Sequence, residues 1–315
     1  MPASRKTNKK LLLLKPEATF NVDSVPTAAL DAILCEDPTY TVDATVLERN
    51  FVKPTWSRTA HAIGRKLAKI EFTVEVRNGG TAGTQSKFGR LLRACGMREV
   101  LTVGTSAVYT PSSNEADHQS ATLYLYMDGT LHIMTGAYGT FTIEGMVNGY
   151  PKAKFTFTGQ YYPMTDAALP ANPVFETTKP VQVENANFAI GGFAAVISKF
   201  SFDSGVEVLP RLDANGSDGY NGTYIANRAP TGGIDPETTL SADQNFWARM
   251  AAADEVAINI DFGSAAGNSV NFAAVRAQYT GLTYQARDRI QTFDAGLVFN
   301  EATNAGDDDF TITLT

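Results

Sequence analysis

Along most of the chain, apolar and polar positions alternate over short runs that end at Gly, Asn or Asp. A period of two sends successive side chains to opposite faces of an extended strand, so the pattern predicts half-buried antiparallel β-structure. Residues 154–161 show it most clearly. Phe155, Phe157 and Tyr161 share one face, and Lys154, Thr156, Thr158 and Gln160 share the other. Similar runs over 70–77, 122–127, 140–144, 199–203, 222–228, 256–262, 269–278, 283–285 and 290–299 predict a mainly β protein.

Two segments change period. Phe88, Leu91, Leu92 and Cys95 recur at helical spacing and predict a helix over 88–95 that Gly96 stops. Over 241–253, Phe246, Trp247, Met250 and Ala253 form an apolar stripe, with Ser241 as N-cap and Asp243 in the first turn. A short helix over 27–34 fits Pro26 near its start and Asp37 and Pro38 beyond its end.

The flanks of the two longer helices follow one order: strand, glycine turn, helix, strand, then two further strands. The first series runs from residue 70 through Gly79 and Gly80, and the second from residue 222 through Gly232 and Gly233. The first carries an extra loop over 101–120. Residue identity between the series is slight, so this is a duplication of element order. Pro163, Pro170, Pro173 and Pro180 mark an extended connection. The expected organisation is an N-terminal arm and short helix over 1–40, a first module over 41–162, a linker over 163–184 and a second module over 185–315. Each module is expected to be an antiparallel β-sandwich or barrel with a flanking helix.

Charge narrows the function. Among 315 residues, Lys+Arg 26 against Asp+Glu 33 gives a net charge of -7, which disfavours a protein that must neutralise many phosphates. Arg5, Lys6, Lys9 and Lys10 form a local basic patch, read as a solvated arm or as a latch ordered by assembly. Leu11, Leu12, Leu13 and Leu14 are too few for a signal-peptide core or a membrane span, so no membrane anchor is expected. Two cysteines, Cys35 and Cys95, make no disulfide framework, and a reducing compartment is the default.

Catalytic patterns do not emerge. His61, His118 and His132 are scattered without a metal-ligand spacing. Residues 213–219 begin like a calcium loop but put Asp218 at the glycine position and Tyr224 at that of the bidentate Glu, so a strand-connecting turn is expected. Asp307, Asp308 and Asp309 read as a solvated acidic turn. No strained-turn serine, activated cysteine or phosphate loop is present. No enzyme, cofactor or metal is expected.

Assembly remains. Two long connections, over 51–65 and 209–221, precede equivalent strands, and on them Phe51, Trp56 and Tyr220 either meet a partner or pack on their own module. Residues 48–54 (ERNFVKP), 88–96 (FGRLLRACG), 122–129 followed by 136–140 (GAYGT), and 151–159 resemble the major tail tube proteins of long, non-contractile-tailed bacteriophages. The resemblance spans roughly 40–170, and reaches the second half through element order and residues 228–232 (RAPTG). It implies a structural virion protein that is assembled in the host bacterial cytoplasm. Rings of such subunits stack into a hollow tube, joined to other tail proteins at its ends, through which double-stranded DNA leaves without specific binding. By the same resemblance, the two connections dock on the adjacent ring through Phe51, Lys53, Trp56, Arg58 and Arg65, and through Arg211, Asp213 and Tyr220. The helices bearing Phe88, Leu91, Leu92, Phe246, Trp247 and Met250 would flank the sheets near subunit borders. Two modules per chain imply a homotrimeric, pseudo-hexameric ring. Three other readings stand beside it: a carbohydrate-binding or host-attachment β-protein, suggested by 12 Tyr, 2 Trp and Asn/Asp/Gly-rich loops; a secretion-system tube; and an enzyme on a β-sandwich.

Overall fold

The computed structural model describes residues 4–184, 186–216 and 218–315. The first three residues of the expected arm, Asn185 at the expected module boundary, and Ser217 of the 213–219 turn lie outside them. The chain is mainly β, with antiparallel sheets and three short α-helices among the described residues.

The first half contains β1 (Lys10–Pro16), α1 (Ala28–Asp31), β2 (Ala32–Ile33), β3 (Glu36–Leu47), β4 (Ala62–Glu75), α2 (Lys87–Arg93), β5 (Met97–Thr102), β6 (Ser106–Pro111), β7 (Ala121–Met127), β8 (Thr130–Met146), β9 (Lys152–Tyr161) and β10 (Thr165–Asp166). The second contains β11 (Ala189–Ile190), β12 (Lys199–Asp203), β13 (Val206–Leu212), β14 (Tyr220–Arg228), β15 (Thr231–Ile234), α3 (Phe246–Ala251), β16 (Val256–Phe262), β17 (Val270–Arg287), β18 (Ile290–Asn300) and β19 (Thr311–Leu314).

One pairing map is drawn twice. In the first half β1 pairs β7, β7 pairs β8, β8 pairs β9 and β10, β9 pairs β4, and β4 pairs β3. In the second, β11 pairs β16, β16 pairs β17, β17 pairs β18 and β19, β18 pairs β15, and β15 pairs β12. The hairpin β3–β4 thus corresponds to a broken hairpin whose base is β12–β15 and whose tip is the separate ribbon β13–β14. Gly205 makes the break. It adopts φ +60, and a Cβ there would come within 2.0 Å of the Ala229 carbonyl oxygen, with Pro230 one residue further on.

The halves are joined by strand pairing. β12 pairs β8, and β19 pairs β6. Residues 101–120, expected as a plain loop, supply β6 and the end of β5, and so contribute to this junction. Phe202 lies at its centre. Its ring is 5.9 Å from Phe141 of the first half and 4.7, 5.5 and 4.6 Å from Phe272, Phe299 and Phe310 of the second.

Several expectations are corrected. Residues 10–15, expected within a solvated arm, form a core strand: β1 pairs β7 throughout and β2 at Leu12 and Leu13. Leu12 and Leu14 enter the main core, while Leu11 and Leu13 enter a second cluster with Ala32, Tyr124 and Leu131. A strand covered on both faces has no reason to alternate, which is why the run is four leucines long. Residues 163–184 do more than connect. Ala167, Leu169 and Phe175 cover the second cluster, and β10 pairs β8. The helix expected over 27–34 is a single turn, because Ala32 and Ile33 are buried as β2 against β1. The helix expected from Ser241 starts at Phe246, capped by Asn245, whose side chain accepts from the Ala248 amide at 2.9 Å.

Truncating Phe202→Ala removes a ring that four other rings enclose, so it is expected to cost roughly 3–5 kcal/mol. Urea unfolding of purified protein should show the lower midpoint with an unchanged slope.

Candidate assembly surface

The segment between β3 and β4 is the most exposed part of the chain. Leu47 pairs Ala62 at the end of the ladder, and residues 48–61 form the tip beyond it. Val52 and Trp56 are fully exposed there, and Phe51 is 61% exposed, with the Arg49 guanidinium 5.2 Å from its ring centroid. Lys53 and Arg58 stand exposed on the same tip. Arg65, below the tip, is half-buried and pairs with Asp43 across the ladder at 3.8 Å. Val42, Val46, Leu47 and Ile63, not among the expected contacts, are each at least 40% exposed on the same hairpin. The spacing of Val42 and Val46 was the available signal.

The second connection is itself a hairpin, β13–β14, with a turn over 213–219. Arg211 is exposed on it, beside a cleft of about 750 Å³ lined by Arg65, Glu115, Leu209, Leu212 and Tyr224. Asp213 closes the turn: its carboxylate accepts from the Asn215 amide at 2.8 Å, and its own amide donates to the Gly219 carbonyl. Tyr220, expected either to meet a partner or to pack on its own module, packs across to the first half instead. It is 3% exposed, and its hydroxyl donates to the Lys66 carbonyl at 2.9 Å and accepts from the Tyr161 amide at 3.4 Å. Burial raises its pKa. It ties the base of the second hairpin to β4, because a phenol with an apolar body and one polar end is well suited to such a seam. The structure therefore brings the second hairpin's base against β4 of the first through Tyr220 and through Lys66, whose Nζ is 3.5 Å from Asp218.

The helices face inward. Phe88, Leu91 and Leu92 are buried, with Ser86 capping α2 by accepting from the Gly89 amide at 3.0 Å. Phe246 is buried and Met250 is partly so, whereas Trp247 is 39% exposed and donates through Nε1 to the Tyr284 hydroxyl at 3.1 Å.

Reactive groups are engaged elsewhere. Burial raises the Cys95 thiol well above its ordinary value and pushes Cys35 up to about 12, so neither is a thiolate. His132 stacks on Tyr40 with ring centroids 4.1 Å apart, and burial lowers its pKa. His118 is within 2.8 Å of the Ser112 carbonyl through Nε2, and His61 is exposed. Among the described residues no group of three or more His, Cys, Asp or Glu is placed to hold a metal ion. An apolar cleft of about 470 Å³, lined by Val183, Phe188, Ala195, Ile197 and Ile260, has Glu184 and Lys199 at its wall.

The acidic turn is also engaged. Arg228 pairs with Asp309 at 2.8 Å and with Asp307 at 3.2 Å, and Ser113 donates to both oxygens of Asp307. The expected solvated turn is thus a clasp between the C-terminal segment, β14 and the loop after β6. Burial pushes the Asp307 carboxyl up, but hydrogen bonds from Ser113 and the Arg228 guanidinium outweigh it and hold the pKa below its ordinary value. Hydrogen bonding from Thr303 lowers that of Asp308.

These features define a β-protein that carries a group of exposed apolar side chains, Val42, Val46, Leu47, Phe51, Val52, Trp56 and Ile63, on one long hairpin. The chain belongs to the phage tail tube protein family, whose model matches residues 7–315. It is a structural component of a phage tail, and the family is not one of enzymes. A search of curated proteins returned no match. No described helix is long and apolar enough to cross a membrane.

Carboxylates with lowered folded pKa values contribute stability that is present above the unfolded value, about 3.9 for Asp, and lost as pH falls through the folded one. The melting temperature is therefore expected to fall below about pH 4. Arg228→Met should cost roughly 1–3 kcal/mol at pH 7, after allowance for its partial exposure, and should flatten that acid limb. Thermal scans of both proteins between neutral and acid pH check this.

Proposed function

We propose that three copies of the chain close into a ring, each supplying two of six similar positions, and that such rings stack into the tail tube of a long, non-contractile-tailed phage. Double-stranded DNA passes through the lumen on ejection, and assembly takes place in the host bacterial cytoplasm. The observation that carries the ring number is the pairing map drawn twice in one chain: two topologically equivalent modules make three chains sufficient where six single modules would be needed. The net charge of -7 supports a conduit, since an acidic wall repels phosphate and lets DNA slide.

The β3–β4 tip supports the stacking role. Val52, Phe51 and Trp56 expose apolar surface to water on a ribbon reaching beyond the sheet, and a neighbouring ring would cover it. Lys53, Arg58, Arg65, Arg211 and Asp213 are the proposed polar contributors at the ring boundary; Tyr220 positions the second hairpin from beneath.

Negative-stain microscopy over a range of concentrations is expected to show rings or tubes with a stain-filled channel and six lobes in end view. Mass measurement of isolated rings should give three chains of 33.9 kDa; six chains would refute the two-module ring. A separate test uses the two tryptophans. With Trp247→Phe, Trp56 alone emits, and its emission should shift to the blue on assembly. Unchanged emission in formed tubes would place the hairpin tip outside the ring contact.

A further inference from the structure

Among the described residues, one edge of β3 and the outer part of one edge of β17 have no partner strand, and their counterparts in the chain are joined to one another. β12 pairs β8 beyond the end of β7, with Phe202 opposite Ile143 and Ser201 opposite Glu144. The counterpart of β12 is β3, and the counterpart of β8 is β17. Among the described residues, β3 pairs β4 alone, and β17 beyond Ala277 pairs β18 alone.

Side-chain geometry sets the equivalence residue by residue. Phe88 of α2 meets Phe155 edge-on at 6.1 Å, as Phe246 of α3 meets Phe293 at 5.6 Å. Opposite those rings across the ladder are Phe141, at 5.7 Å, and Tyr284, at 5.0 Å. Phe155 therefore corresponds to Phe293, Phe141 to Tyr284 and Ile143 to Ala286. Two residues along, Phe157 pairs Ile70 and Ala295 pairs Ile234. Two residues back on those strands, Ala68 pairs Val42 and Gly232 pairs Phe202, so Val42 is the counterpart of Phe202.

Burial differs between the two pairs in the way a missing neighbour requires. Phe141 and Phe202 are each 1% exposed in the joined pair, whereas Val42 is 40% and Tyr284 53% exposed in the open one. We infer that β3 of one copy adds antiparallel to the free edge of β17 of the next, with Val42 opposite Ala286 and Tyr284 on the diagonal. The inference rests on the reading that the chain assembles into rings. Each copy offers two different edges, so the contact is head-to-tail and is of the type that closes a ring. Main-chain hydrogen bonds would satisfy both ladders, and the two apolar side chains would cover each other. The remaining register places Thr41 opposite Arg287 and Asp43 opposite Gln285, with no like charges facing. Arg287 is already held by Asp235 and Glu237 at 2.9 and 2.8 Å.

Directly opposed residues of an antiparallel pair have Cα atoms about 4.5–5.5 Å apart, within disulfide reach. Tubes of the double variant Val42→Cys, Ala286→Cys, confirmed by microscopy, are expected to give covalent dimers and trimers on mild oxidation. Each single variant should stay monomeric on a non-reducing gel. Tubes of the double variant that yield only monomers, or dimers from Ala286→Cys alone, would overturn the seam while leaving the tube reading intact. Failure of the unaltered chain to form rings or tubes would overturn both. In the unaltered protein, backbone amides over 281–287 should exchange at least tenfold more slowly in tubes than in free subunits; equal rates would count against the seam.

Discussion

Two strands, β8 and β17, are each too long to be satisfied by one partner on each side, and the architecture follows from how their edges are completed. Every backbone N–H and C=O on such a strand needs a partner or water, so a strand of 17 or 18 residues recruits several shorter ones in succession. β8 takes β7 and then β12 along one edge and β10 and then β9 along the other. β17 takes β16 on one edge and β19 and then β18 on the other, and among the described residues no strand follows β16 along its edge. The bond between the two halves is thus the same kind of bond as those within each half. Bulges between Thr135 and Tyr138 and between Tyr279 and Gly281 bend both long strands, which lets one strand serve two neighbours in different directions.

Packing reinforces what the ladders begin. Phe72, Phe141, Phe155 and Phe157 form one aromatic group, Phe200, Phe272, Phe299 and Phe310 another, and Phe202 touches both. Rings at tilted and edge-on angles interlock, so separating the halves would open a cavity as well as break a ladder. Buried polar groups tie the segments that lack regular pairing. Glu17, 6% exposed, accepts from the Asn21 and Gly136 amides and from the hydroxyls of Ser120 and Thr122, which anchors the turn after β1 to β7 and β8. A carboxylate with four donors is well compensated for its desolvation, and losing any one donor leaves the others competing for a charge no longer fully matched.

The proposed assembly contacts are side chains that the fold leaves uncovered, among them Val42, Trp56 and Tyr284, while several reactive groups are committed to structure. Cys95 is sealed in the core, His132 is stacked, and Asp307 and Asp309 hold Arg228. The proposed tube would require a subunit inert toward its cargo and adhesive toward its copies, and this distribution suits that proposal.

The alternation of apolar and polar residues was enough to place β9, β12, β16 and β18 to within a residue or two at each end, because a half-buried strand writes its two faces directly into the sequence. Helical spacing placed α2 for the same reason, but the glycine turn expected at Gly232 and Gly233 is strand β15, so the counterpart of the strand at Ile70 is β15 and not the run over 222–228. What stayed hidden depended on neighbours distant in sequence. Leu11, Leu12, Leu13 and Leu14 lack alternation because β2 and β7 flank β1 and other segments cover both its faces. Tyr220 left partner contact and packing on its own module both open, because the group it bonds, the Lys66 carbonyl, lies 154 positions away. Ser241 and Asn245 are both competent caps, and the choice between them fell to the packing of Phe246 against Phe293. Local periodicity determined which segments are strands and helices; which edges meet, and which are left open, was decided only by tertiary structure, since hydrogen-bond partners across a sheet are a property of the folded chain.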